Sequence, residues 1–164
     1  MRGIELGVRL KSVLSNRGLG MKAKKCLYEG VIVPTALYGA EAWGVRRAER
    51  RKVNVLEMKC LRSLVGVLRM DRVWNEEVRW IAGIERELSS RADQRVLRWF
   101  WHLERMDDYR MAKRVLMAEV SGGRVRGRPR LGWMDGVKVA LGNRGMTVEA
   151  ARQCVIEWRA LVHM

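Results

Sequence analysis

Apolar side chains recur along the chain at intervals of three and four residues, which is the spacing of one face of an α-helix. The most regular stripe predicts a long amphipathic helix over residues 46–65 and consists of Val53, Leu56, Cys60 and Leu64. An earlier helix is predicted over residues 21–33, ending at Pro34 because proline cannot continue the backbone hydrogen bonding. These two helices form the first part of the predicted fold.

The second half of the chain repeats the helical pattern. Asn75, followed by two glutamates, is typical of an N-cap, and Gly83 is a typical end for the short helix between them. The next predicted helix is long, and its apolar stripe is Leu88, Ala92, Val96, Trp99, Phe100 and Leu103. The remaining predicted helices cover residues 110–118, residues 133–141 and a segment that begins at Thr147.

Residues 121–130 interrupt this periodicity with three glycines, one proline and four arginines. Such a composition predicts an exposed basic loop, which is also the best candidate for an internal linker. The fold class is therefore predicted as all-α, with a small helical bundle followed by a second helical segment that contains the loop.

The net charge narrows the class of partner. The chain has 33 Lys and Arg against 18 Asp and Glu, giving a formal charge of +15 and a sequence pI of about 10.8. Arginine accounts for 25 of the basic residues, and its planar guanidinium pairs with phosphate and stacks on bases better than lysine does. A polyanion, nucleic acid above all, is the expected partner.

Two clusters of cations stand near the predicted helix starts. One is Lys22, Lys24 and Lys25, and the other is Arg46, Arg47, Arg50 and Arg51. Positive charge at a helix N-terminus opposes the macrodipole, and like charges four residues apart repel, so bound phosphates would relieve both penalties. The alternative is a solvated basic face with Glu49 as partial relief. The clusters are predicted to bind nucleic acid, with a strong salt dependence.

The basic loop offers a more specific arrangement. It contains Arg124, Arg126, Gly127, Arg128, Pro129 and Arg130. In an extended Arg-Gly-Arg segment two guanidinium groups can enter a narrow minor groove around a residue without a side chain, and the string RGRP resembles the core of an AT-hook. Chance in an arginine-rich chain, or plain phosphate contact, is the alternative explanation.

Tryptophan is abundant, with seven residues against one phenylalanine. Unpaired bases stack on exposed aromatic rings, and the candidates that lie off the clearest apolar stripes are Trp43, Trp74, Trp80 and Trp101. The other three, Trp99, Trp133 and Trp158, are assigned to packing.

No catalytic site is predicted. His102 and His163 are far apart in the sequence, and Asp107 with Asp108 follows a helical segment rather than the hairpin in which polymerases place paired aspartates. The three cysteines are widely spaced without a CxxC pair, so we expect reduced thiols, no metal and no cofactor. Without a signal-like or membrane-spanning segment, the expected location is intracellular, in the nucleus or cytoplasm.

The order of five motifs resembles a known class of retroelement. They are KAKKCLYEGVIVPTALYGAEAW (22–43), MKCLRSLVGVLRMDRVWNEEV (58–78), LRWFWHLERMDDYRMAKRV (97–115), GRPRLGWMD (127–135) and EWRALV (157–162). Together they resemble the region that follows the polymerase palm in reverse transcriptases of LINE-type (non-LTR) retrotransposons. One departure is Trp101, which stands where the family pattern has a glycine.

The resemblance implies that residues 22–67 correspond to the thumb, a helical piece that holds the template and primer duplex behind the active site. Residues 69–164 would be the post-thumb segment, with a role in RNA contact. The resemblance thus predicts two domains, residues 1–68 and residues 69–164. The family's catalytic aspartates belong to the fingers and palm, so this segment is expected to bind RNA or RNA–DNA hybrid without catalysis and to work with the remainder of a reverse transcriptase. Two alternatives are a host protein that retained an A·T-DNA-binding or RNA-binding module, and a decayed relic without function.

Overall fold

Helices account for all the regular structure of the chain in the computed structural model, which describes residues 11–43, 47–118 and 132–162. Within those ranges no strand occurs, and the all-α prediction is confirmed. The α-helices are α1 (Lys11–Leu14), α2 (Met21–Leu27), α3 (Val33–Ala36), α4 (Arg47–Val65), α5 (Asn75–Ala82), α6 (Leu88–Glu104), α7 (Met111–Met117), α8 (Trp133–Gly142) and α9 (Val148–Val162). None of these helices combines the length and apolar character needed to cross a bilayer.

The chain divides into two compact units. The first comprises Met1–Gly39 and Arg47–Ala92, and the second comprises Ala40–Arg46 and Asp93–Met164. The boundary follows Ala92 because α5 and the first turn of α6 belong with α4 in the first unit. The domains expected from the resemblance, residues 1–68 and 69–164, stay a prediction.

In the first unit α4 lies at the centre and packs against α1, α2 and α5. Of the predicted stripe of α4, Leu56, Cys60 and Leu64 are buried and Val53 is half-buried. Leu61, which the stripe did not include, is buried as well. The elements around α4 contribute the other large apolar side chains of this unit, which are Leu14, Tyr28, Ile32, Leu37, Val78, Ile84 and Leu88.

A buried carboxylate lies in this apolar setting. The Glu57 side chain is 0% exposed, and its Oε2 accepts hydrogen bonds from Nη2 and Nε of Arg79 at 3.0 and 3.3 Å. Its Oε1 accepts from the backbone N–H of Leu88 at 2.9 Å and, at 3.5 Å, from the hydroxyl of Tyr28. Burial raises the pKa of Glu57, and the bonds from Arg79 and Leu88 oppose that rise. Glu57 therefore connects α4 to α5, to the start of α6 and to the segment that follows α2.

The predicted end of a helix at Pro34 is wrong, because helical backbone continues to Ala36. Residues Tyr28–Ile32 form a π-helical segment, in which the N–H of Val33 donates to the carbonyl of Tyr28 five residues back. This wider turn restarts the α-helical bonding, so Pro34 falls in the first turn of α3. An amide hydrogen is not needed there, and proline is tolerated.

The ends of α5 show one correction and one confirmation. Trp74 is the N-cap, and Asn75 is the first residue of the helix, where its Oδ1 accepts a hydrogen bond from Nη2 of Arg62 at 3.0 Å. The asparagine side chain thus holds a tertiary contact instead of capping. Gly83 ends the helix as predicted, with a φ of 67° that a residue with a side chain rarely adopts.

The second unit has its own apolar core between α6, α8 and α9. The buried cluster consists of Val96, Leu97, Phe100, Val137, Ala140, Leu141 and Ala151. Trp43 and Trp133 pack against it, and Nε1 of Trp133 donates to the carbonyl of Glu41 at 2.8 Å. That bond ties the segment Ala40–Trp43 to α8 in the same unit.

Replacement of Glu57 tests its role at the centre of the first unit. We expect Glu57→Ala to lower the free energy of unfolding by about 3–5 kcal/mol, because the largely buried Arg79 guanidinium loses its buried carboxylate and keeps only Glu87, and the N–H of Leu88 loses its acceptor. Urea unfolding followed by circular dichroism measures this loss. Glu85→Ala, at an exposed carboxylate of the same unit, serves as the control and should change stability by less than about 0.5 kcal/mol. Equal effects of the two substitutions would contradict the assignment.

Candidate nucleic-acid interface

The three lysines of α2 do not share one environment. Lys24 is buried, and its Nζ donates to the carbonyl of Leu64 at 3.4 Å, in the last turn of α4. Lys25 is half-buried, and its Nζ donates to the carbonyl of Gly83 at 2.5 Å, at the end of α5. Both ammonium groups thus meet the negative ends of helices inside the first unit. Lys22 is exposed.

The arginine cluster of α4 is also divided. Arg51 is exposed, whereas Arg50 is half-buried. Burial lowers the pKa of the Arg50 guanidinium, and the carboxylate of Glu87 counteracts that effect. Arg46 lies outside the described residues, and Arg47 is the first residue of α4. Arg50 and Arg51, the two cations of this cluster whose side chains are described, therefore differ in their exposure to solvent.

The predicted basic loop lies outside the described residues, which stop at residue 118 and resume at residue 132. The loop residues singled out by the sequence are Arg124, Arg126, Gly127, Arg128, Pro129 and Arg130. Their assignment to nucleic acid stays a prediction, as does that of the two helical clusters.

Three ionic networks pair carboxylates with cations among the described residues. In the first unit Arg79 bridges Glu57 and Glu87, with N–O distances of 3.0 and 3.1 Å, and Arg91 pairs with Glu29 through two bonds of 2.5 and 2.8 Å. In the second unit Glu104 pairs with Lys113 and Arg152, which form the third network. These networks use four carboxylates and four cations, so the positive excess of +15 is carried by side chains outside them.

Glu104 closes α6 with a buried ionic network. Its Oε2 accepts from Nζ of Lys113 at 2.8 Å, and its Oε1 accepts from Nε of Arg152 at 2.9 Å. Burial alone would raise the pKa of Glu104, but the two cationic donors outweigh it and hold the pKa below its ordinary value of 4.5. The network joins the end of α6 to the first turn of α7 and to the second turn of α9 within the second unit.

One face of α6 carries a concave basic surface that sequence reasoning missed. Its groove has a volume of about 480 Å³ and is lined by Glu41, Arg95, Arg98, Trp99, His102 and Arg105. Five of these lie on α6 or the turn after it, at spacings of three and four residues, so their side chains share one face. The polar periodicity of these arginines is the signal that could have revealed the groove.

The predicted roles of the tryptophans are partly reversed. Trp99, assigned to packing, is 38% exposed at the groove, and its ring centroid lies 5.3 Å from that of His102. Trp101 and Trp43, proposed for stacking on bases, are half-buried and pack against the core of the second unit. The packing role of Trp133 is confirmed.

Trp74 and Trp80 remain candidates for stacking on unpaired bases. Their side chains are 79% and 81% exposed, at the start and in the last turn of α5. The side chain of Trp158 lies outside the described part of the structure.

The paired aspartates lie in the turn between α6 and α7. Asp107 and Asp108 are exposed, and the backbone carbonyl of Asp107 accepts a hydrogen bond from the N–H of Arg110 at 3.0 Å. Among the residues that the structure describes, no three His, Cys, Asp or Glu side chains converge as a metal-binding group.

Comparison with known proteins yields a distant relative. No profile of a known protein family matches the chain, and no solved structure matches it. The chain is similar to a transposon-derived protein of Caenorhabditis elegans, with 24% identity over 147 residues. The match covers 85% of this chain and 50% of that protein, so the chain spans half the length of the curated relative it matches. At this coarse level the similarity agrees with a transposon-related origin.

Substitution of the α2 lysines distinguishes the two that form internal hydrogen bonds, Lys24 and Lys25, from the exposed Lys22. We expect the double variant Lys24→Ala/Lys25→Ala to lose about 1–3 kcal/mol of unfolding free energy, because two carbonyls at helix ends lose charged donors. Lys22→Ala, on the same helix but exposed, should stay within about 0.5 kcal/mol of wild type. Chemical denaturation of the three proteins provides the measurement. Wild-type stability in the double variant would show that these lysines are not structural.

The lowered pKa of Glu104 predicts a pH dependence of stability. A carboxylate with a lowered pKa in the folded state stabilises the fold above its unfolded value, and this contribution is lost as the pH falls through the folded-state pKa. Glu104→Gln should therefore be less stable than wild type at pH 7, and the difference should shrink below about pH 4.5. Thermal melts between pH 3 and 7 test this expectation, with Glu85→Gln as the exposed control. A difference that is constant with pH would contradict it.

Proposed function

We propose that the chain is a non-catalytic nucleic-acid-binding segment of a protein derived from a non-LTR retrotransposon reverse transcriptase. In this role it grips template and primer, as RNA or RNA–DNA duplex, while catalysis belongs to the fingers and palm of the parent enzyme. The observation that carries the proposal is the location of the charge. The described ion networks are balanced, so the excess of +15 lies on side chains outside them.

An excess of this size needs a physical explanation. Exposed like charges repel one another, and the stability of the described units comes from apolar cores and balanced ionic networks. Phosphates would replace this repulsion by attraction and would release counterions on binding. The preference for arginine over lysine points to phosphate and bases as partners, because guanidinium binds phosphate bidentately and also stacks.

Two further observations support the retroelement part of the proposal. The five ordered motifs resemble the thumb and post-thumb region of LINE-type reverse transcriptases, and the helical fold agrees with that resemblance. The similarity to a transposon-derived protein extends over 85% of the chain. The closer assignment to a reverse transcriptase rests on the motifs.

Titration of the purified chain into labelled nucleic acids tests the proposal. Fluorescence anisotropy is measured with an RNA hairpin, an RNA–DNA hybrid, an A·T-rich duplex and a G·C-rich duplex at several salt concentrations. We expect the hairpin and hybrid to bind most tightly, and log Kd to rise linearly with log salt, with a slope of roughly 0.7–0.9 per phosphate contacted. Polyglutamate of matched charge, added as competitor, should displace the hybrid poorly.

The other outcomes discriminate between the alternatives. A preference for the A·T-rich duplex that disappears in Arg126→Ala/Arg128→Ala would favour the minor-groove module. An equal loss for all four nucleic acids in that variant would indicate phosphate contact by the loop. Absence of binding at low salt would overturn the proposed function and leave the decayed relic.

A further inference from the structure

We propose that the groove on α6 of the second unit holds one unpaired nucleotide of a single strand, with its base stacked on Trp99 and neighbouring phosphates contacted by Arg95, Arg98 and Arg105. This inference rests on the proposed function and deepens it, because it names the form of nucleic acid that this surface takes. The α6 groove consists of Glu41, Arg95, Arg98, Trp99, His102 and Arg105.

The size of the α6 groove fits one nucleotide. Its volume of about 480 Å³ lies within the range of roughly 300–1,000 Å³ typical of small-ligand sites. From Arg95 to Arg105 the helix rises about 15 Å, at roughly 1.5 Å per residue. Three guanidinium groups distributed over that length can contact successive phosphates of one strand.

The aromatic residue of the groove selects for an unpaired base. Trp99 is 38% exposed, and the adjacent His102 ring is inclined to it by 35°. Bases inside a duplex already stack on their neighbours, so a free aromatic face is useful chiefly to a base that has left the stack. Every base has such a face, and the groove should therefore tolerate any sequence.

The electrostatics of the groove orient the strand. Arg98 and Arg105 are exposed and Arg95 is half-buried, so positive charge extends along the whole helical side of the groove. Glu41 supplies the carboxylate of the lining, and its backbone is anchored by the bond from Trp133. Phosphates are attracted to the α6 side and repelled from Glu41, which leaves the base to lie between them, over Trp99.

The core beneath the groove gives it a fixed floor. Val96, Leu97 and Phe100 are buried on the opposite side of the same helical turns and pack against α8 and α9. A strand bound here would therefore meet side chains positioned on a packed helix, and little backbone ordering would oppose binding.

The experiment compares single-strand and duplex binding by the full chain. Anisotropy is measured with a labelled twelve-nucleotide oligouridine and with a blunt RNA–DNA hybrid. We expect Trp99→Ala to weaken oligouridine binding about tenfold and hybrid binding less than about twofold, because stacking is lost only by the unpaired base. Trp99→Phe should retain most of the affinity. Arg98→Gln should reduce the salt slope for oligouridine by about 0.7.

Matched variants in the same unit serve as controls. Tyr109→Ala removes an exposed aromatic ring outside the groove, and Arg114→Gln removes an exposed guanidinium outside it. Both should bind oligouridine as wild type does. If Tyr109→Ala weakens binding as much as Trp99→Ala, or Arg114→Gln as much as Arg98→Gln, the assignment of the groove is overturned. Circular dichroism verifies folding, and Arg98→Gln still decides the question if Trp99→Ala does not fold.

Failure of this inference can be told apart from failure of the proposed function. Tight hybrid binding together with oligouridine binding that is insensitive to Trp99 and Arg98 would overturn the α6 groove alone. Oligouridine binding that depends on Trp99, without any hybrid or hairpin binding, would overturn the template and primer role and support the groove. Displacement of oligouridine by polyglutamate as effective as displacement by unlabelled oligouridine would indicate an acidic-peptide site and contradict a nucleotide site.

Discussion

Each compact unit of this protein contains a buried carboxylate that needs hydrogen-bond donors, and this need constrains how the helices pack. In the first unit, Glu57 receives donors from α5, from the first turn of α6 and from the segment after α2. In the second unit, Glu104 receives Lys113 and Arg152 from two further helices. A buried carboxylate without partners is unfavourable by several kcal/mol, so arrangements that separate these helices from their carboxylate are disfavoured. The apolar cores supply the driving force, and the carboxylates add specificity.

This constraint also decides which cations are available to a ligand. The composition counts 33 basic residues alike, but the structure uses Arg79, Arg91 and Lys113 for internal pairs. Lys24 and Lys25 are directed to helix C-termini in the first unit. Basic residues near the start of a helix are thus poor predictors of phosphate contact by themselves. An exposed arginine on a packed helix, such as Arg98 of α6, is a better candidate, because its side chain lies at the surface.

Much of the fold could be predicted from the sequence because periodicity is a local property. The predicted helix over residues 46–65 is α4 within one residue, and Gly83 ends α5 as expected. Pro34 misled the prediction because the π-helical segment before it shifts the hydrogen-bonding register, and no simple apolar pattern marks such a shift. The pairing of Glu57 with Arg79 and of Glu104 with Arg152 joins residues 22 and 48 positions apart, beyond the reach of periodicity.

The candidate site was harder to predict, for a related reason. Trp99 and Trp101 are two positions apart on one helix, and an apolar stripe alone assigned the first to the core and the second to the surface. In the structure the core-facing positions are Val96, Leu97 and Phe100, so Trp99 lies at the margin of the buried face. A large aromatic residue at such a margin is packed over part of its side chain and exposed over the rest.

That arrangement shows how folding and binding can share one helix. The buried face of α6 fixes the helix through Val96, Leu97 and Phe100, and its last residue, Glu104, is held by ionic bonds. The exposed face contributes little to stability, since surface substitutions usually change it by less than about 0.5 kcal/mol. The exposed Arg98 is such a surface position, and the like charges of Arg95 and Arg98, three residues apart, repel each other slightly. An anionic ligand turns that repulsion into attraction, and the helix can present the arginines without any change in its packing.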